Sequence, residues 1–183
     1  MPGYCTQIAE RLEGMGMDLI YNPEFIAQGS IIKNLKEADM VLIGSDTGRG
    51  VLSLEGIYQS IMIIGIPNIK VMSTTAAEIT KISINCFLTM KIAYANMIGE
   101  IAIGSGVEDE IGIILKAIGD DSRIGHKFLG YGFGYAGPCL PRDMKALGIH
   151  ADRIGVQNCI QETIDLSNDH HAEFLKDYYR KAN

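Results

Sequence analysis

At 183 residues, with 47% hydrophobic and 21% charged residues, the chain has the makeup of a globular domain with a packed core rather than of a disordered segment. An excess of 22 acidic over 16 basic residues, net charge −6, excludes nucleic-acid binding through a broad positive surface. It still permits an anionic small ligand, which a few placed cations or a helix N-terminus can hold.

In chain order, residues 6–13 (TQIAERLE) read as a short amphipathic helix closed by Gly14 and Gly16. Residues 18–21 (DLIY) read as a strand stopped by Asn22-Pro23. Residues 40–44 (MVLIG) form a second strand, apolar throughout, which suits burial on both faces. A helical pattern follows over residues 50–63, Pro67-Asn68 breaks it, and residues 69–72 (IKVM) make a third strand. Strands alternating with helices at this spacing predict an α/β layer with a parallel sheet.

The pattern changes at Ser73-Thr74-Thr75, three hydroxyls suited to an N-cap. Residues 76–104 contain no proline, and Gly99 is the one interior glycine. At ~1.5 Å per residue this is a helix of roughly 40 Å. Apolar residues fall on nearly every face, so something must cover it. A domain this small lacks the material, which predicts a homodimer built on helix 76–104. Glu78, Lys81, Asn85, Lys91 and Glu100 in this stretch argue against a membrane span. Residues 108–118 read as another helix ended by Gly119-Asp120, followed by a glycine-rich loop over 125–137. Pro141 opens the next helix, and a last helix runs from Cys159 to Tyr179. The layout is α/β first and all-α afterwards.

Cys5, Cys86, Cys139 and Cys159 show no C-x-x-C spacing and no zinc-ligand spacing to histidine. With no basic and apolar leader, this predicts a reducing, cytoplasmic setting and no metal site. The pair His170-His171 reads as a solvated helix face.

The most informative segment is residues 130–143 (GYGFGYAGPCLPRD). Its glycines let backbone approach a ligand closely. Cys139 stands just ahead of a helix, where a thiolate gains from the helix dipole and free N–H groups. Arg142 adds positive charge, and Asp143 lies one turn on, a sensible build for a nucleophilic cysteine with a carboxylate alongside. The blander alternative is a small buried cysteine.

Residues 131–147 (YGFGYAGPCLPRDMKAL) resemble the cysteine signature of the nucleotide-sugar dehydrogenases of the UDP-glucose 6-dehydrogenase type, roughly G-F-G-G-x-C-x-x-K/R-D. Residues 22–29 (NPEFIAQG) are similar to that family's N/S-P-E-F-L-x-E-G segment, and residues 77–85 (AEITKISIN) to its A-E-x-x-K-x-x-x-N helix. Residues 123–129 (RIGHKFL) resemble its R-I-G-x-K-F stretch. These blocks occur in the family's order.

The resemblance implies an NAD-dependent enzyme that oxidises a UDP-sugar C6 alcohol twice, to the carboxylate. Cys139 would form a thiohemiacetal and then a thioester. Lys81 and Asn85, four apart on one helical face, would stabilise the oxyanion at C6. Asp143 would orient water or tune the lysine, and Glu24 would sit at the sugar end. Phe25, Ile26, Ala27, Gln28 and Phe128 would line the substrate. The loop residues Gly130, Tyr131, Gly132, Phe133, Gly134, Tyr135 and Ala136 would run along the nucleotide-sugar. Arg123 would reach a substrate bound mainly by a partner subunit. Gln28 and Arg142 would face the cofactor.

The chain departs from the family in several places. It has no G-x-G-x-x-G turn of the dinucleotide-binding kind, set directly after a strand: Gly14-Met15-Gly16 lacks the third glycine and a preceding strand. Gln28 replaces a glutamate, Gly130 stands where some members carry a lysine, and Ala136 replaces a glycine. Implied domains are therefore the C-terminal part of a Rossmann-like NAD domain over 1–73 and a helical dimerisation and catalytic domain over 74–183. The resemblance further implies that the glycine-rich half and a C-terminal nucleotide-sugar domain are not part of this stretch, and weak or no NAD binding is expected. One alternative is a non-catalytic dimerisation module or a split or decayed copy. Another is a hydroxyacid or 6-phosphogluconate type dehydrogenase, which needs no cysteine.

Overall fold

The computed structural model describes residues 1–183 except 27, 28, 64, 66, 67, 158, 159 and 183. It is mostly helical and forms two compact units, Met1–Lys81 and Ile82–Asn183. The boundary between these units falls inside the long helix.

The first unit contains α1 (Tyr4–Glu13), α2 (Ile31–Lys36), β1 (Val41–Gly44), α3 (Val51–Ile61) and β2 (Ile69–Met72). β1 and β2 pair in parallel, Val41 opposite Ile69 through Gly44 opposite Met72. All four β1 residues are buried, as an apolar run of this length requires. Val41 and Ile43 pack with Val51, Tyr58 and Met62 to form the unit's core.

The expected strand over 18–21 reduces to one antiparallel bridge, Tyr21 to Gly44. Its two backbone bonds measure 2.9 and 2.7 Å. Residues 18–20 find no ladder partner because β1 ends at Gly44 and the chain bends at 46–47; beyond Tyr21 side chains take over. Asn22 Nδ2 donates to the Leu42 carbonyl at 2.9 Å, and Tyr58 Oη donates to Asn22 Oδ1 at 2.8 Å. Pro23 then has no N–H to continue a strand. The helix α2, not expected from the sequence pattern, has six residues and buries none of them.

The long helix α4 runs Thr74–Gly104, 31 residues, starting two residues before the expected 76. Ser73 Oγ accepts the Ala76 N–H at 3.3 Å, and Asp46 accepts both the N–H and the hydroxyl of Thr74, at 3.0 and 2.6 Å. Close approach fixes the junction. A Cβ on Gly44 would lie 2.8 Å from Ala77 Cβ and 3.0 Å from Thr74 Cα. One turn into α4, the buried Glu78 carboxylate accepts the N–H groups of Gly3 and Cys5 at 2.6 and 3.0 Å. It thereby caps α1 with a negative charge at the favoured end.

The second unit holds the rest of α4, a 3-10 turn (Glu108–Glu110), α5 (Ile111–Asp120), α6 (Leu140–Arg153) and α7 (Ile160–Ala182). The expected helix over 108–118 is thus two pieces and extends through Gly119-Asp120. The His126 ring lies against Gly119, where a Cβ would displace it. α6 opens at Leu140, one residue before Pro141, and Cys159 at the expected start of α7 lies outside the described residues.

By length and composition alone α4 would pass for a membrane span. Its buried polar residues in this unit, Thr89 and Asn96, are nevertheless hydrogen-bonded within the fold. Ile82, Cys86, Thr89, Ala93 and Asn96 form its buried stripe, with Cys86 and Ala93 packed in a core with Tyr135, Met144 and Ile164. About 100° around the axis, Phe87, Met90, Tyr94, Met97 and Ile101 form a second stripe that is exposed. Its alternating spacing of three and four is a seam pattern.

Candidate functional site

The peptide around Cys139 is shaped by the start of α6. Cys139 is the N-cap residue, its carbonyl accepting the Asp143 N–H at 2.9 Å, and its thiol is free and exposed. Asp143, in the first turn, is only 3% exposed. A buried carboxylate needs partners on both oxygens. Asn85 Nδ2 of α4 donates to Oδ2 at 2.6 Å, while Arg142 Nε and Nη2 donate to Oδ1 at 3.0 and 2.9 Å. Asn85, Arg142 and Asp143 are thus in one network, one helical turn from Cys139. Met144, next along, is fully buried, and Thr89 Oγ1 bonds its sulfur at 3.0 Å.

The other two described thiols have a different environment. Burial, then the Glu78 carboxylate, pushes the Cys5 thiol up to about 12. Burial, then the charges of Asp143 and Asp165, pushes Cys86 up to about 12.

The glycine-rich loop is held from outside by side chains. Asn96 of α4 accepts the Gly132 N–H at 3.0 Å and donates to the Phe133 carbonyl at 3.4 Å. Asn168 of α7 accepts the Tyr135 N–H at 2.8 Å and donates to the Tyr135 carbonyl at 3.2 Å. Tyr135 is buried and donates its hydroxyl to Asp165. Burial and that bond raise the Tyr135 hydroxyl above the ordinary tyrosine range. The glycines serve these contacts: a Cβ on Gly134 would overlap the Asn168 amide, and Gly99 of α4 lets the Tyr131 ring lie against the helix. On the other side Phe133 is 85% exposed, and Gly130, Ala136 and Cys139 are exposed too.

His171 corrects the reading of the histidine pair. His170 is exposed, as a solvated helix face requires, but His171 is only 2% exposed. Its Nε2 donates to the Gly132 carbonyl at 2.6 Å, and its Nδ1 bonds Glu100 Oε1 of α4 at 2.6 Å. Among the described residues no group of His, Cys, Asp and Glu could hold a metal ion. Asp165, Asn168 and His171 recur every third residue, so the sequence did carry a polar stripe on one face of α7. A polar stripe ordinarily means solvent, which is why these loop anchors went unread.

The remaining candidate residues stand as follows. Lys81 places its ammonium 4.6 Å from the centre of the Phe25 ring, a cation–π contact in the first unit. Glu24 and Ile26 are exposed, while Ala27 and Gln28 lie outside the described residues. Arg123, exposed, forks onto Asp121 at 2.9 and 2.6 Å, which holds that carboxyl below its usual range. Phe128 adopts φ 62°, a left-handed conformation costing a non-glycine residue roughly 1–2 kcal/mol. An apolar groove of about 300 Å³ borders the exposed stripe of α4, with Phe87, Tyr94 and Arg123 on its walls.

Residues 75–170 match the UDP-glucose/GDP-mannose dehydrogenase family, central domain. The chain is 33% identical over 170 residues to the UDP-glucose 6-dehydrogenase AglM of Haloferax volcanii, covering 92% of this chain and 39% of that protein. It is 30% identical over 169 residues to the Gallus gallus UDP-glucose 6-dehydrogenase, covering 87% and 33%. The chain therefore spans between a third and two fifths of the length of these curated relatives. Among solved structures it resembles a UDP-glucose dehydrogenase from the archaeon Pyrobaculum islandicum, with TM-score 0.76 and 29% identity over 84% of this chain and 34% of the other. The UDP-D-ManNAc dehydrogenase of Pyrococcus horikoshii shares the fold, with TM-score 0.79 at 24% identity over 100% of this chain and 44% of the other.

Proposed function

Since this chain belongs to the UDP-glucose/GDP-mannose dehydrogenase family, with the central domain at residues 75–170, we propose that it is the central segment of an enzyme oxidising the C6 alcohol of a UDP-sugar to the carboxylate. The observation that carries this reading is the exposed Cys139 at the N-cap of α6, one turn from a buried carboxylate that Asn85 reaches from α4.

In this reading Cys139 adds to the C6 aldehyde. A C–S bond forms, the carbonyl electron pair moves to oxygen, and protonation gives a thiohemiacetal. After that adduct is oxidised to the acyl level, water adds and the thiolate leaves. An amide nitrogen carries two hydrogens. The bond to Asp143 fixes the Asn85 amide plane and leaves its second hydrogen for the developing oxyanion. Lys81, four residues earlier on α4, supplies the positive charge. Phe133 and the neighbouring glycines receive the nucleotide-sugar. Gln28 is an amide and cannot act as a base toward water, so Asp143, in the same unit as Cys139, is the carboxylate proposed for that step.

NAD would accept the hydrides in this chemistry. The described residues do not fit its pyrophosphate. The N–H groups at the start of α1 are taken by Glu78, no G-x-G-x-x-G turn enters the sheet, and Arg142 is engaged with Asp143. No hydride step is assigned to these residues. The chain alone is expected to bind NAD weakly or not at all, and calorimetry returning micromolar affinity would overturn that.

Thiol ranking tests the proposed nucleophile directly. At pH 8 a thiol of pKa about 12 is thiolate in only about one part in ten thousand. Iodoacetamide followed by peptide mapping should therefore label Cys139 first, with Cys5 and Cys86 slower by about 100-fold or more. For both buried thiols the rate should climb about tenfold per pH unit, since their thiolate fraction rises until pH reaches the raised pKa. Faster labelling of Cys86 or Cys5 than of Cys139 would sink the assignment.

A further inference from the structure

The glycine-rich loop is bonded along one side and bare along the other, and the most deeply buried of its polar anchors is His171. This side chain joins three elements. It projects from α7, takes the Glu100 carboxylate of α4 on Nδ1, and fixes the Gly132 carbonyl with Nε2, both at 2.6 Å. The Tyr131 ring meets the imidazole edge-on with centroids 5.7 Å apart, and Phe174 stacks on it at 6.4 Å. The Gly132 carbonyl is thus held inside the fold, while the next residue, Phe133, points to solvent.

We propose that His171 and Glu100 are positioning residues, a hydrogen-bonded pair that holds the turn at Gly132 in the shape that presents Phe133 and Cys139, without touching substrate themselves. The proposal deepens the nucleotide-sugar reading and rests on it only for what the loop receives. The pair acts through one backbone carbonyl. Asn96 fixes the N–H of the same residue, so Gly132 is held on both of its polar groups, one on each of the two peptide planes that it joins. Without the imidazole donor, a buried carbonyl loses its partner, and the loop gains by turning it outward to water. That rotation would carry the flanking residues with it. The ring contacts with Tyr131 and Phe174 call for an aromatic side chain and do not by themselves call for a histidine.

Three variants of the 183-residue chain test this: His171→Phe keeps an aromatic ring without either bond, His171→Gln keeps a donor for the Gly132 carbonyl, and Glu100→Ala removes only the outer partner. The readouts are chymotryptic nicking after Tyr131 and Phe133, the rate of Cys139 alkylation by iodoacetamide, and Tm. H171F should be nicked about tenfold faster and shift the Cys139 rate about threefold or more, and H171Q should return both to near wild type. E100A should move both readouts in the direction of H171F by a smaller factor. A role in packing alone would lower Tm in H171F while leaving nicking and the Cys139 rate unchanged, or would leave H171Q as disturbed as H171F; either result overturns the proposal. Should H171F fail to fold, wild-type behaviour of E100A in both readouts would overturn it equally. UDP-glucose added to each protein separates the two ideas. If it never protects Cys139 while H171F still loosens the loop, the nucleotide-sugar reading falls and the positioning role stands.

Discussion

Replacing Cys139 by serine is expected to leave alcohol-to-aldehyde oxidation running, and to cut carboxylate formation by about a thousandfold or more. The assay belongs in a polypeptide that carries this segment together with dinucleotide-binding and nucleotide-binding domains. The geometry gives the reason. Cys139 is exposed at the N-cap of α6, where a sulfur anion meets the positive end of the helix. A serine hydroxyl ionises far above neutral pH, so it is a poor nucleophile there, and its alkoxide is a poor leaving group when the acyl intermediate hydrolyses. Aldehyde, or its hydrate, should therefore accumulate and be visible by product analysis. Carboxylate appearing at the normal rate would refute covalent catalysis at this position.

The second large effect concerns assembly. Phe87, Met90, Tyr94, Met97 and Ile101 are exposed along α4 at a seam spacing. We expect the chain to be a homodimer through this stripe, with Met97→Glu returning it to monomer. A carboxylate buried in an apolar contact without a partner costs several kcal/mol. The dissociation constant should rise by about 100-fold or more, since each 1.4 kcal/mol is tenfold. Sedimentation at micromolar concentration distinguishes the two states, and far-UV circular dichroism verifies that the helices persist. Wild-type protein sedimenting as a stable monomer would remove the premise. M97E sedimenting as a dimer would move the interface elsewhere.

The elements that were legible in the sequence are those whose cause is local. Residues 69–72 fall on β2, residues 40–44 give β1 short by one, and the start of α4 follows from hydroxyls that cap it. Pro141 marks the opening of α6 within one residue, and with it the place of Cys139. What escaped depends on partners distant in the chain. The strand at 18–21 shrank to a single bridge because its partner β1 ends at Gly44, which residues 18–20 cannot reach past. The α2 helix has six residues and buries none of them fully, only Leu35 packing on the core, which is too short a stretch for a helical period to stand out. The candidate site divides the same way. Its motif residues were readable from the loop, whereas Asn96, Glu100, Asn168 and His171 lie 33 to 71 positions from the groups they bond. The two apolar stripes of α4 were merged in the sequence into a helix apolar on nearly every face, because only packing tells the covered stripe from the bare one.

The amide brackets of Asn96 and Asn168 grip only main-chain atoms of the loop. The shape of the loop is thereby stored outside the loop. Mutational drift at Phe133 or Ala136 changes which surface is offered while the backbone path stays fixed by groups on α4 and α7. Substitution at these positions can therefore change the exposed face without rebuilding the scaffold. The two asparagines have no such freedom, because hydrolysis of either amide to an acid sets a carboxylate against the carbonyl it now serves as donor. The same two positions are therefore where slow chemical ageing of the protein would register as a change of loop shape.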